Sequence, residues 1–314
     1  METIHLTYPM IDQPTDQEPI ALAIGFFDGV HLGHQAVIRK AMDLARELKA
    51  VPAVMTFDPH PREVLGQEAI HRYLTPYPDK LEQFARLGVR KVYVVRFDRN
   101  FASLSKEEFV TDILLPLGVK GVVTGYNFTF GHKAEGKAED LTELGKGHFV
   151  TEIVSLIQQD QGVISSTRLR RALAEGDVKT ARDILGRPYS LQGEVVRGDQ
   201  RGRLMGFPTA NLDLKAPYFV PARGVYVVKA TIDEVSSYGI MNIGVRPTFK
   251  SDQPSERLEV HLLGQSGNYY GKKCKVEFYH FLREEKKFPR VEALIQQIEK
   301  DRQEAERWLK LFAQ

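Results

Sequence analysis

"IALAIGFFDGVHLGHQAVI", residues 20–38, decides the fold. Its first five residues are apolar without interruption, as in a strand buried on both faces. Glycines at positions 25, 29 and 33 follow, with His31 and His34 among them. Beyond His34 the period changes, and Val37, Ala41, Leu44 and Leu48 recur at helical spacing. A strand therefore hands over to a helix through a glycine-rich loop at the strand's carboxyl end. In open parallel sheets ligands sit outside those ends. Glycines let the backbone approach a ligand closely. A helix start offers N–H groups and a positive dipole to phosphate. Imidazoles there can donate hydrogen bonds to phosphate oxygens as charge builds during transfer. An isolated H-x-x-H also fits two solvated histidines, so the rest of the chain has to decide.

The same rhythm continues outward. Apolar runs at 51–57 ("VPAVMTF"), 91–97 ("KVYVVRF"), 119–124 and 149–154 predict further strands, with helical patterns between most of them. Ser105 and Glu108 form a capping box ahead of an apolar stripe at Phe109 and Ile113. This alternation predicts an α/β domain, a doubly wound parallel sheet covered on both sides. The pattern changes at Gly186, where "DVKTARDILGRPYS" ends a helix and Pro188 follows. Then come "LQGEVVRG", "GVYVVKATI", "YGIMNIG", "RLEVHLL" and "KCKVEFYHF", separated by glycines and prolines. They predict a small antiparallel β-barrel or sandwich. After Pro289 one amphipathic helix is expected, apolar at Val291, Leu294, Ile298, Ala305, Trp308 and Phe312. The expected domains are 1–186 and 187–314.

Composition narrows the function. A chain of 314 residues exceeds what one core usually holds. A net charge of +2 gives no large field, which argues against nucleic-acid and membrane-surface partners. Cys274 is the only cysteine, so no intrachain disulfide can form. No leader peptide or membrane-length apolar run is read, and the expected setting is the cytoplasm.

Three further segments belong to the rim that carries His31 and His34. "TFDPHP" (56–61) follows the second of these strands and "GYNFTFGHKAEG" (125–136) the fourth. "ISSTRLRRAL" (164–173) places Ser165, Ser166 and Thr167 at a helix start, with Arg168, Arg170 and Arg171 just inside. Hydroxyls and arginines at a helix start suit phosphate; an ordinary N-cap with a basic face fits equally well. "GHKAEGKA" (131–138) is a false P-loop, because Ala138 stands where the magnesium-holding hydroxyl belongs. The dinucleotide fingerprint G-x-G-x-x-G is absent.

A second constellation lies beyond Gly186. "RGDQRGRLMGFPTANL" (197–212) packs glycines, Gly202 and Gly206 among them, and cations ahead of Thr209 and Asn211. Such a turn can fold over a nucleotide's phosphates, or be a plain hairpin. Thr209 and Asn211 offer oxygens on one side of an extended segment, as magnesium shared with phosphates prefers. Glu259 in "LEVHLL" is a carboxylate within an apolar strand. It fits a general base for a hydroxyl nucleophile, or a solvent-facing strand residue. His261 shares its face and reads as structural.

Taken in order, these motifs resemble the bacterial bifunctional riboflavin kinase/FMN adenylyltransferase family, also called FAD synthetases. "GFFDGVHLGH", "TFDPHP", "GYNFTFG" and "ISSTRLR" resemble its adenylyltransferase motifs; "GRLMGFPTANL", "MNIGVRPTF", "LEVHLL" and "FLREEKKF" resemble its kinase module. Asn127 departs from the family, many members of which carry aspartate there; Met205 departs where leucine is commoner. The resemblance implies ATP-driven phosphorylation of riboflavin to FMN, then adenylylation of FMN by ATP to FAD and pyrophosphate, both with Mg2+. It implies that His31 and His34 contact ATP phosphates. Gly25, Asp28, Gly33, Asn127, Ser166, Thr167 and Arg170 would complete that site. Gly202, Gly206, Thr209 and Asn211 would hold the kinase nucleotide, Thr209 and Asn211 its metal, Glu259 would be the base, and Arg283 would border the flavin. FMN brings its own nucleophilic phosphate, so adenylyl transfer needs positioning and charge neutralisation without a covalent residue. Two rival readings are a nucleotidyltransferase for another small phosphate with an accessory barrel, and a flavin-binding regulator without turnover.

Overall fold

A computed structural model describes residues 1–10, 18–66, 71–159, 162–198, 202, 206–246, 255–265 and 267–312. The backbone divides into two compact units, Met1–Ser166 and Thr167–Gln314.

The first unit is built on one all-parallel sheet. Its strands are β1 (Glu2–Leu6), β2 (Ile20–Ile24), β3 (Val51–Asp58), β4 (Lys91–Arg96), β5 (Val119–Gly125) and β6 (Val150–Val154), in the order β1-β4-β3-β2-β5-β6. From β2 the chain steps one way to β3 and β4, then returns to β5 on the other side. The strand order therefore reverses between β2 and β5, and their carboxyl ends flank the crevice where doubly wound folds bind ligands. Strand β2 alternates by size. Ile20, Leu22 and Ile24 enter one core. Ala21 and Ala23 enter the other, under helix α1 (Leu32–Glu47) with its Val37, Ile38, Ala41, Leu44 and Ala45. Small residues bring α1 close to the sheet: a Cβ on Gly121 would stand 2.6 Å from Leu44 Cδ2. The capping box of Ser105 and Glu108 is present, but the turns after it, Phe109–Leu114, form a π-helix.

The second unit begins with helices that sequence reading assigned to the first. The expected boundary, Gly186, is the left-handed C-cap of a helix, with φ 69°. By backbone contacts the compact units part between Ser166 and Thr167. The reason is packing: helix Val178–Leu185 lies on the last and first barrel strands, and Ala222 N–H donates to Leu173 O at 2.8 Å. Strands β7 (Tyr189–Val196), β8 (Ala210–Leu214), β9 (Gly224–Ile232), β10 (Val235–Arg246), β11 (Ser255–Leu262) and β12 (Lys273–Arg283) close an antiparallel barrel in the order β7-β8-β11-β10-β9-β12. Tyr226 and Phe278 meet inside it edge to face, 5.2 Å between rings. On alternate positions Val225 and Val227 face outward and pack with Ala305 and Trp308 of the closing helix, Val291–Phe312. Val291 and Phe312, expected on its buried stripe, are 56% and 66% exposed.

Candidate active sites

The first site is the loop between β2 and α1. His31 is the N-cap of α1, and its Nδ1 accepts the His34 backbone N–H at 3.2 Å. The ring proton of His31 therefore sits on Nε2. The two imidazoles stack, 3.6 Å between centroids. Gly33 makes that stack possible, since a Cβ there would stand 3.1 Å from the His31 ring. His34 is held well below the usual imidazole range, by burial first and by the nearby His31 and Lys80 charges next. It is neutral, and its buried Nδ1 has no hydrogen-bond partner among the described residues.

The loop itself is strained and pinned. Phe27 and Val30 adopt positive φ, 58° and 42°, which non-glycine residues avoid. Gly25 leaves room for the Phe27 ring, 2.9 Å from where its Cβ would be. Thr56 Oγ1 and Lys80 Nζ both donate to Phe26 O, at 3.1 and 2.8 Å. Asp28 Oδ1 accepts from Thr75 N–H at 3.1 Å, and Ser166 Oγ donates to Asp28 O at 2.8 Å. Lys80 is buried, its Nζ 3.8 Å from the centre of the Phe26 ring, and burial pushes its pKa down to about 8 against the pull of Asp28 and Asp58. Thr56 opens the "TFDPHP" motif, but its bond to Phe26 O and the whole role of Lys80 have no signal in the sequence. Their partner, Phe26 O, is remote in the chain, and no local pattern announces such a bond.

Of the other residues expected here, Asn127 is exposed in a turn after β5 and its Oδ1 lies 3.3 Å from a Cβ position at Gly125. Ser166 joins the histidine loop as described. Thr167 and Arg170 fall in the second unit, where Arg170 stands over the Phe219 ring at 5.2 Å. "GHKAEGKA" is a tight hairpin, with Thr129–Phe130 paired to Gly136–Lys137.

The second site lies on the outer face of the barrel. Register places Asn211 on β8 and Asn242 on β10 directly opposite Glu259 on β11, one row across three strands. Thr209 Oγ1 donates to Glu259 Oε1 at 3.4 Å, and Arg257 Nη2 reaches the same oxygen at 2.9 Å. No hydrogen bond is made by Glu259 Oε2 among the described residues. Glu259 is thus a partly buried carboxylate with one oxygen held by Thr209 and Arg257. His261 on the same face donates from Nδ1 to Pro208 O at 2.9 Å, a structural link.

Thr209 and Asn211 also line a cleft of about 510 Å³ with Val195, Arg197, Tyr269 and Tyr270. Gly198 leaves room for the Asn211 amide, which a Cβ there would displace. Gly202 O accepts Phe207 N–H at 2.8 Å, and Gly206 takes φ 85°. The rest of the glycine-rich turn, 199–201 and 203–205, lies outside the described residues, as do 247–249 of "MNIGVRPTF". Among the described residues no three His, Cys, Asp or Glu side chains form a metal cage. The hydroxyl and amide oxygens of Thr209 and Asn211 fit a magnesium ion that takes its remaining ligands from phosphates. Arg283 is engaged elsewhere. Its Nε and Nη2 bind Asp301 at 2.9 and 2.7 Å, and its Nη1 donates to Glu284 O at 2.9 Å.

Two family models match this chain: FAD synthetase over residues 13–168 and riboflavin kinase over residues 185–309. A bifunctional riboflavin kinase/FMN adenylyltransferase of Listeria monocytogenes is 44% identical, covering 97% of each chain. One from Bacillus subtilis is 42% identical, covering 98% of each. A solved structure described as a macrolide-efflux protein from Streptococcus pneumoniae is 32% identical, with TM-score 0.90, covering 98% of this chain and all of that one. Among the described residues here, no helix is long and apolar enough to cross a membrane. The two family models in this order, with near-complete coverage of the relatives, place the chain in the bifunctional riboflavin kinase/FMN adenylyltransferase family.

Proposed function

We propose that the chain makes FAD from riboflavin in two steps, one in each unit. The observation that carries this reading is the separation of two phosphate-handling sites. The histidine loop lies in the first unit and the Glu259 row in the second. In the kinase step the terminal hydroxyl oxygen of riboflavin attacks the γ-phosphorus of ATP. The bond to the β–γ bridging oxygen breaks, ADP leaves, and the hydroxyl proton passes to Glu259 Oε2. Thr209 and Arg257 hold Oε1, so the other oxygen keeps its aim. Thr209 and Asn211 would hold Mg2+, which when bound neutralises phosphate charge. Arg283 contributes to the flavin side indirectly, by tying β12 to the closing helix.

In the adenylyl step an FMN phosphate oxygen attacks the α-phosphorus of a second ATP, and pyrophosphate leaves. His31 donates from Nε2, and neutral His34 adds an N–H, where negative charge grows on the phosphates. Gly25, Asp28, Gly33 and Ser166 shape the loop, and Asn127 supplies a further polar contact to ATP. Use of ATP fits a cytoplasmic setting. Incubation of the full chain with riboflavin, ATP and Mg2+ tests the reading. FMN should appear first and FAD after it, and chelation of Mg2+ should stop both. Absence of any phosphorylated flavin would overturn it.

A further inference from the structure

The segment after β12 meets the Glu259 face at one place. A Cβ on Gly244 would collide with Glu285 Oε1 and stand 3.4 Å from Asn242 Nδ2. The backbone at Gly244 has no positive φ, so what its missing side chain leaves is room that the end of the Glu285 side chain occupies. A carboxylate and an amide share that space. Register says where it lies. Asn242 is directly opposite Glu259 and Gly244 directly opposite Arg257, on adjacent strands. Opposite residues share a face, and positions two apart on a strand are about 7 Å apart on that face. Glu259, Asn242 and Glu285 therefore line one short strip, with Arg257 along its edge.

The strip is polar and unused. Neither the Asn242 nor the Glu285 side chain has a hydrogen-bond partner among the described residues. A carboxylate accepts from hydroxyls, and an amide both donates and accepts. Such groups in line with a base suit an open-chain polyol whose terminal hydroxyl is the one that reacts. We propose that Asn242 and Glu285 bind the inner hydroxyls of the riboflavin side chain, so selecting a polyol and setting its end against Glu259. This rests on the reading of Glu259 as the kinase base.

The test measures kcat/KM of the full chain for riboflavin and for its 2′-, 3′- and 4′-deoxy analogues. Wild type is compared with Glu285→Ala, Glu285→Gln and Asn242→Ala. A thermal melt and conversion of supplied FMN to FAD control for folding. Wild type should disfavour at least one analogue by about ten- to a hundredfold, as expected when one hydrogen-bond partner is lost. The alanine variants should lose that factor on riboflavin and not on that analogue, so the preference collapses. Equal losses on both substrates, no loss at all, or no preference in wild type would each overturn the proposal. Wild type that phosphorylates no riboflavin would instead overturn the kinase reading, and this inference with it.

Discussion

His34 is neutral because its ring is buried, with the charges of His31 and Lys80 adding to the effect. The consequence for stability has a definite sign. Its ordinary value is 6.5, and the folded value lies well below that. As pH falls through 6.5 the unfolded chain takes up a proton that the folded chain refuses, so stability is lost on the acid side. His34→Gln should flatten that loss in urea unfolding followed between pH 5 and 7. An unchanged acid limb would mean that His34 is not the buried group described. Lys80 acts in the same sense at the alkaline end. Its folded pKa of about 8 lies below its usual 10.5, so its contribution to stability rises with pH between them. The histidine pair was legible in the sequence because cap, glycine and ring lie within one turn. Lys80 was not, because its meaning depends on a carbonyl 54 residues away.

Among the elements, the closing helix depends most on one polar link. Arg283 on β12 and Asp301 on the helix form a two-point ion pair, their side chains 16% and 5% exposed, and Gln297 adds a bond to Asp301 at 2.8 Å. Removing one partner of such a pair leaves a buried charge and costs about 3–5 kcal/mol. Asp301→Ala should therefore lower the melting temperature of the second unit sharply while leaving the first unit's transition in place. A shift of the first transition alone would contradict this. Five of the six strands of the parallel sheet were legible as apolar runs, four of them internal strands with both faces covered and the fifth edge strand β6. Edge strand β1 was not, being five residues broken by His5. The barrel strands were legible too, but the row Asn211–Glu259–Asn242 was not. Alternation shows which side a residue faces, and only register shows its neighbour across the strand.

At the scale of the molecule, we propose one reaction for each compact unit. A fragment beginning at Thr167 keeps Leu173, whose carbonyl Ala222 bonds, and helix Val178–Leu185, which packs on the barrel, and should fold and make FMN. A fragment beginning at Arg187 exposes the surface that Val178, Ala181, Ile184 and Leu185 cover, and should unfold at lower denaturant. Equal stability of the two fragments would favour Gly186 as the boundary. The most direct test uses the full chain and two single variants, assayed separately for riboflavin to FMN and for supplied FMN to FAD. Glu259→Gln should slow the first reaction by about 10²–10⁴ and spare the second. His31→Ala should slow the second by about 10²–10³ and spare the first. If either variant, still folded by thermal melt, loses both reactions or neither, the claim of two independent sites in one chain is contradicted.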